Sequence, residues 1–429
     1  MSTVVHQNDL NAVTTPSVAP ETLSTEPRWK PWFCFIVMLA GLQAGFGHIM
    51  RLSQWGVNAG INCAVAEGDA WLHGRLDLAH EPGTDLVHNR RCDSGYVNGR
   101  VFNLLGPILS ILTVVLAPIN HALTGRTDFW LPWLYSLLVF WPLPIVGYVL
   151  FRRQAADSAW GAVLTASWLA GTAVLPNLFF ASRGELGQIH HLMSQTGLLL
   201  LAADLLGRQR IWPALIGLAI ATWSRQMTFL YALPLLFFAW RRARLAPALI
   251  GIAMIAAPLL TLNTLKFGNP LDFGYRYMYV GREDADVAKN CLDHGMFSIG
   301  FFPRNFKHMH LKLPEFDAGL MGLTPHVDWY GVSIWSTTPL LLMVLFAARQ
   351  WWSDVRRRVL MLATLPVMTG ILFYHDPGFI QFGYMRYALD FIPIWLVVIA
   401  PWTRGGWRTY FTIACTAWSM LYFSLLQFD

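Results

Sequence analysis

The chain has 429 residues, of which 55% are hydrophobic, 14% aromatic and 13% charged, with a formal net charge of +6. A soluble domain carries roughly 25% charged residues; about half that share, alongside 20 Trp and 27 Phe, leaves too little polar surface to clothe a water-soluble particle. A soluble enzyme, a nucleic-acid binder and a disordered scaffold are thereby excluded, and the composition predicts an all-α polytopic membrane protein.

Residues 1–28 are rich in Ser, Thr, Pro and Glu and lack a basic region followed by an apolar core. They read as a disordered cytoplasmic tail rather than a cleavable signal, so the first span is the insertion signal and 29–429 form the membrane domain. A span needs roughly 20 apolar residues to cross about 30 Å of hydrocarbon. Candidates lie at 31–49, 129–151, 158–180, 190–206, 211–223, 225–240, 246–264, 334–348, 359–374, 388–402 and 409–425, about eleven in all.

Arginine placement tests that count. One set of turns carries Arg152 and Arg153; Arg208 and Arg210; Arg241, Arg242 and Arg244; Arg349 with Arg356, Arg357 and Arg358; and Arg404 with Arg408. The alternate turns carry one Arg each, so the richer set is expected on the cytoplasmic side, together with the N-terminus. This alternation holds if the apolar stretch 102–123, interrupted by Gly106-Pro107, is a re-entrant or interfacial helix on the outer side; the alternative is that it crosses and the arginine rule fails at one loop. Two long loops, 48–101 and 266–333, then share the outer face. Loops of that length are functional or disordered as a rule, and chemistry is expected there.

In the first loop, Ile61 to Leu72 suits an amphipathic helix, with Ile61, Val65, Trp71 and Leu72 on an apolar side and Glu67 and Asp69 toward water. Gly74 is placed to end it. A polar hairpin-like stretch with an Asn98-Gly99 turn follows.

The motifs in this loop are Asn58, then AWLHGRLDL at Ala70–Leu78, YVNGR at Tyr96–Arg100 and Gly106-Pro107. Further on come FGNPLDFGYRY at 267–277, FFPRNF at 301–306, STTPLLL at 336–342 and QFGYMRYALDFIP at 381–393. In order and spacing this set resembles the GT-C superfamily of membrane glycosyltransferases, which includes the protein O-mannosyltransferases and the aminoarabinose transferases of lipid A, and most closely an uncharacterised bacterial branch of it. The resemblance spans roughly residues 30–400. It implies a GT-C-like bundle in a bacterial inner membrane that moves a sugar from a polyprenyl-phosphate donor to a glycan, lipid or protein acceptor on the periplasmic face.

Such a reaction needs a base for the acceptor hydroxyl, a cation for the leaving phosphate and an apolar groove for the isoprenoid tail. The family's base is an Asp in the first outer loop; the matching position here falls on Asn58 or Ala59, neither of which can accept that proton, and Asn58 is kept as a substrate-binding candidate. Replacement acids are Asp69, then Asp85, with Glu67, Asp77 and Asp93 in the same loop. For the phosphate, Arg225 lies in the turn between two short spans that reach only ~18 and ~24 Å, so it should sit below the outer surface, where an Arg is a functional candidate. Arg276 and Arg304 are further phosphate candidates.

Arg183, Glu185 and His190 of the turn 182–191, together with Tyr275 and Gln381, are expected to line the substrate cavity. Adjacent histidines point to different helix faces, so His190-His191 is no metal pair by itself. No cofactor is required; a divalent ion is permitted by the histidines but lacks ligand spacing. Asp390, within an apolar segment, is expected to pair with Arg386 one helical turn earlier. One disulfide among Cys63, Cys92 and Cys291 is consistent with an oxidising side, Cys63–Cys92 being one pairing; Cys34 and Cys415 read as packing residues.

Two other functions compete with the transferase. A transporter or flippase of a lipid-linked substrate would show broken helices in paired positions and an inverted repeat, and no repeat is evident. A catalytically inactive relative that binds the lipid carrier would explain Asn58.

Overall fold

The structure, a computed structural model, describes residues 26–52, 63–78, 93–125, 141–182, 186–279, 286–319, 322–326, 328, 330–375 and 383–426. Apart from two antiparallel two-stranded hairpins, the described residues are all-α.

Helix α1 (Lys30–Leu52) covers the first predicted span, and α2 (Cys63–Leu72) is the short helix of the first loop. Strands β1 (Ser94–Val97) and β2 (Arg100–Asn103) pair around the Asn98-Gly99 turn, with Ser94 opposite Asn103. The apolar stretch 102–123 is therefore not one element. Its first residues end a strand, and helix α3 (Ile108–Thr124) starts only after Gly106-Pro107, where a proline's missing N–H costs nothing.

Helices α4 (Pro142–Ala155), α5 (Ser158–Ala170) and α6 (Val174–Ser182) follow. The predicted span 158–180 is thus two helices, parted at Gly171. Asp157 caps α5 by accepting the Trp160 N–H at 2.7 Å, the role that favours Asp at this position. Next come α7 (Leu186–Leu206) and α8 (Trp212–Ser224). They cross at Gly197 and Gly217, where a Cβ on either would lie 2.5 Å from the other's carbonyl oxygen, so only hydrogen side chains let the backbones meet.

A 3₁₀ turn, Gln226–Tyr231, leads into α9 (Ala232–Arg241), and α10 (Leu245–Phe267) follows. Among the described residues α10 is the one helix long and apolar enough by itself to cross a bilayer; shorter apolar helices are Lys30–Leu42, Ile108–Thr124, Trp212–Ser224 and Ile392–Trp402. The second long loop holds a 3₁₀ turn at Tyr275–Tyr279, helices α11 (Asp286–His294) and α12 (Phe302–Phe306), a π turn at Lys307–Leu311, and the hairpin β3 (Phe316–Gly319) with β4 (Gly322–Pro325).

The predicted span 334–348 breaks into α13 (Ile334–Thr337), a 3₁₀ turn and α14 (Met343–Phe346). The break falls at Thr338-Pro339, since Pro lacks an N–H and drives the preceding residue out of the helical region. The chain then runs through α15 (Ala348–Ser353), α16 (Val355–Phe373), a 3₁₀ turn at Arg386–Asp390, α17 (Ile392–Ile399) and α18 (Trp407–Leu425).

The core is built on Trp168, Tyr231, Tyr384, Tyr422, Phe151 and Phe391, all fully buried. The outward faces are apolar as well: Trp212 is 64% exposed, Ile250 62% and Met254 69%. At one end of the bundle the five arginine-rich turns join hands. Arg404 lies 3.0 Å from Asp157, Arg357 donates to the Gln154 amide oxygen at 2.6 Å, Arg356 to the Leu206 carbonyl at 3.1 Å and Arg242 to Gln209 at 3.0 Å. Elsewhere, the β1–β2 hairpin packs on the Tyr275–Tyr279 turn.

Candidate functional site

Helix α8 ends at Ser224, and Arg225 leaves helical geometry with φ −139° and ψ 103° before the chain turns into the next 3₁₀ segment. This places the guanidinium in the bundle's interior, where Arg225 Nη2 lies 3.3 Å from Asp390 Oδ2, the two side chains 12% and 0% exposed. His191 Nδ1 stands 3.7 Å from Asp390 Oδ1, and the Tyr231 hydroxyl donates to the Asp390 carbonyl at 2.9 Å. The guanidinium also stacks over the Tyr387 ring at 4.6 Å, and Arg386 lies over the same ring at 5.3 Å.

The expected partnership of Asp390 with Arg386 is therefore replaced by one with Arg225 and His191. The reason is local: 386–390 is a 3₁₀ turn, in which side chains three apart eclipse and those four apart diverge. The signal that could have found the pair was present in the sequence, as two opposite charges in apolar segments each needing a partner. His191 and Tyr387 carried no such mark.

His190 and His191 point to different faces, as expected for neighbours on α7. His190 is buried, with Nε2 3.0 Å from the Gly106 carbonyl, which ties α7 to the start of α3. Its side chain is enclosed where α7 meets the start of α3.

Near Arg225 stands Tyr275. Burial pushes its phenol above the ordinary range, with Arg225 pulling against this and the charge of Asp93 adding to it. Asp93 is exposed at the foot of β1, its carbonyl accepting the Leu104 N–H at 3.0 Å.

The first-loop acids are placed differently from expectation. Glu67 does not face water: it is fully buried and forms an ion pair with Lys266 of α10. It also accepts from Asn103 Nδ2 at 2.8 Å and from the Ser110 hydroxyl, while Lys266 donates to the Asn103 carbonyl at 3.1 Å. The turn of α2 that carries Glu67 packs on α3, so the residue sits on the helix's inner side. Asp69 is half-buried next to His73, 3.6 Å from its Nδ1. Neither of these acids is the ion-pair partner of Arg225, which is Asp390.

Of the other phosphate candidates, Arg276 is more than half exposed and paired with Asp272 at 2.6 Å. Arg304 is half-buried, donates to the His375 carbonyl at 2.7 Å and lines an open cleft with Asn290, His294, Gly300 and Phe301. A second, narrower cleft is lined by Asn103, Gln226, Asn263 and Lys266 among others, beside the Glu67 cluster.

Asn58, Asp85, Arg183, Glu185 and Gln381 lie outside the described residues, as does Cys92. Cys63 is held in a disulfide. Among the described residues no group of three or more His, Cys, Asp or Glu converges as metal ligands. No family model, no curated protein and no solved structure matches the chain.

The chemistry open to this arrangement follows from its charges. A largely buried cation held by one carboxylate and faced with aromatic rings can engage an anion by charge-assisted hydrogen bonds.

Proposed function

We propose that the chain is a polytopic membrane glycosyltransferase of GT-C type, which moves a sugar from a polyprenyl-phosphate donor to a glycan, lipid or protein acceptor at the hairpin end of the bundle. On this reading the membrane is the bacterial inner membrane, with the N-terminus cytoplasmic and the reaction periplasmic. The outward apolar faces of α8 and α10 support the membrane assignment, because soluble proteins rarely expose contiguous apolar patches of that kind. The gathering of all five arginine-rich turns at one end supports its sidedness.

The observation that carries the reading is Arg225. Helix α8 has 13 residues and reaches about 20 Å, short of a bilayer core of about 30 Å, so Arg225 stands below the outer surface. An intramembrane Arg that is stacked on aromatic rings and braced by Asp390 suits a lipid phosphate.

In the reaction, the acceptor oxygen forms its bond to the anomeric carbon as the bond from that carbon to the phosphate oxygen breaks. The electron pair leaves with the polyprenyl phosphate, whose charge Arg225 meets. The acceptor's proton passes to a carboxylate, and Asp93, exposed at the foot of β1, takes that role here in place of Glu67, which is paired with Lys266, and Asp69, which is paired with His73.

A second reading, carrier binding without transfer, is favoured by the same loss of Glu67 and Asp69 as bases together with Asn58. Transfer assays with a polyprenyl-phosphate sugar decide between them. On the transferase reading Asp93→Asn keeps carrier binding and loses transfer; wild type that binds carrier and transfers no sugar to any acceptor class supports the second.

A further inference from the structure

Among the described residues no carboxylate lies within ion-pair distance of Arg304. Arg225, Lys266, Arg276 and Lys312 each have a carboxylate within ion-pair distance. Arg304 is half-buried, yet its described partners are all neutral: the His375 carbonyl at 2.7 Å, the Asn305 amide oxygen at 3.3 Å, and the rings of Phe301 and Tyr330 at 5.7 and 5.3 Å. Taking a guanidinium partly out of water without a counter-charge is costly. Such a site holds its free energy in reserve for an anion that arrives later.

The guanidinium is also held in place. Asn305 beside it is buried and donates to the carbonyls of Leu372 and Tyr374 at 2.8 and 2.9 Å, which locks α12 onto the end of α16. Among the described residues nothing accepts from Arg304 Nη1, and the residue lines a cleft of about 200 Å³ between α11 and α12. The opposite wall is His294, exposed and edge-on to Phe301 at 6.0 Å, with Asn290. The volume lies below the roughly 300–1,000 Å³ of sites that hold drug-sized ligands, which suits one charged ring or headgroup.

We infer that this cleft binds the acidic group, carboxylate or phosphate, of an anionic sugar, and that it is the acceptor site. The acceptor role rests on the transferase reading; the anion site does not. Arg304 supplies a charge-assisted hydrogen bond to the acid, and Asn290 and His294 bond the ring hydroxyls. The site is separate from that of the carrier phosphate but joined to it: Arg304 holds the His375 carbonyl, and the neighbouring Tyr374 ring lies 5.9 Å from Tyr387, the ring beneath Arg225.

The test is titration of the full chain in nanodiscs with glucuronate, glucose 6-phosphate and glucose, by calorimetry. The expected result is saturable binding of one or both acids at least tenfold tighter than glucose, weakened at least tenfold by Arg304→Ala and partly kept by Arg304→Lys. Asn290→Ala, on the far wall and away from the α12–α16 lock, keeps the fold and weakens binding severalfold. Equal binding of acid and neutral sugar, no binding of either acid, or acid binding unchanged in Arg304→Ala overturns the inference. Polyprenyl phosphate titrated in parallel separates the two accounts: acid binding without carrier binding keeps this site and removes the transferase reading, and the converse removes this site alone.

Discussion

Asp390 and Arg225 are 165 residues apart in sequence, yet their side chains meet at 3.3–3.4 Å through both Nε and Nη2 in the bundle's interior. Removing one partner leaves a buried charge uncompensated, at a cost of about 3–5 kcal/mol, whereas replacing both with apolar residues of similar volume can be neutral. Asp390→Leu is therefore expected to lower the unfolding midpoint sharply in detergent, and Arg225→Met, Asp390→Leu together to restore most of it. If the restored double variant binds polyprenyl phosphate as wild type does, the pair is structural alone.

The acids of the first loop give a second expectation. Asp93 is exposed at the foot of β1, the strand that packs on the Tyr275–Tyr279 turn, and Asp69 is half-buried beside His73. Asp93→Asn is expected to cut transfer by about 10²–10⁴-fold, the usual worth of a general base, with carrier binding unchanged, while Asp69→Asn stays within twofold of wild type. A variant pair with the opposite pattern, read in one transfer assay, returns the base to Asp69.

His375 supplies a pH dependence. Burial, with Arg304 adding to it and a hydrogen bond with the Met296 backbone opposing it, brings its imidazole down to about 4. The unfolded chain holds it near 6.5. Between those values the unfolded state binds more protons, so stability is full above about pH 6.5 and falls as pH drops toward 4. His375→Gln is expected to flatten the fall in thermal midpoint across that window. An unchanged slope contradicts a buried neutral His375.

Gly106 tests how the turn at Arg225 is held. A Cβ there would lie 2.0 Å from the Trp223 carbonyl oxygen and 3.1 Å from that of Ser224, and both are backbone atoms that cannot swing away. Gly106→Ala is expected to cost about 1–3 kcal/mol by overpacking and, by shifting α3 from the end of α8, to weaken carrier binding. Unaltered stability and binding would mean that α3 moves without consequence for Arg225.

These relationships also mark what was legible beforehand. The ends of α10, α16 and α18 fall within a few residues of the spans read from hydropathy, because long uninterrupted apolar runs leave one solution. The turn at Asn98-Gly99 was equally plain, since its chemistry is local. Hydropathy does not register hydrogen bonds, so it passed over the breaks at Gly171 and Thr338-Pro339. Spacing rules assumed an α-helix through 386–390 and so gave Asp390 the wrong arginine. Glu67 was set toward water by the period of α2 alone; that it faces Lys266 depends on a helix two hundred residues away, which no local pattern carries.

The most direct test is native mass spectrometry of the protein in nanodiscs with polyprenyl phosphate, for wild type and Arg225→Ala, each first shown to be folded. The account predicts saturable binding by wild type that falls at least tenfold in Arg225→Ala, with Arg276→Ala unchanged. Wild type that is folded and binds no carrier, or an Arg225→Ala variant that binds it as tightly, would contradict the account.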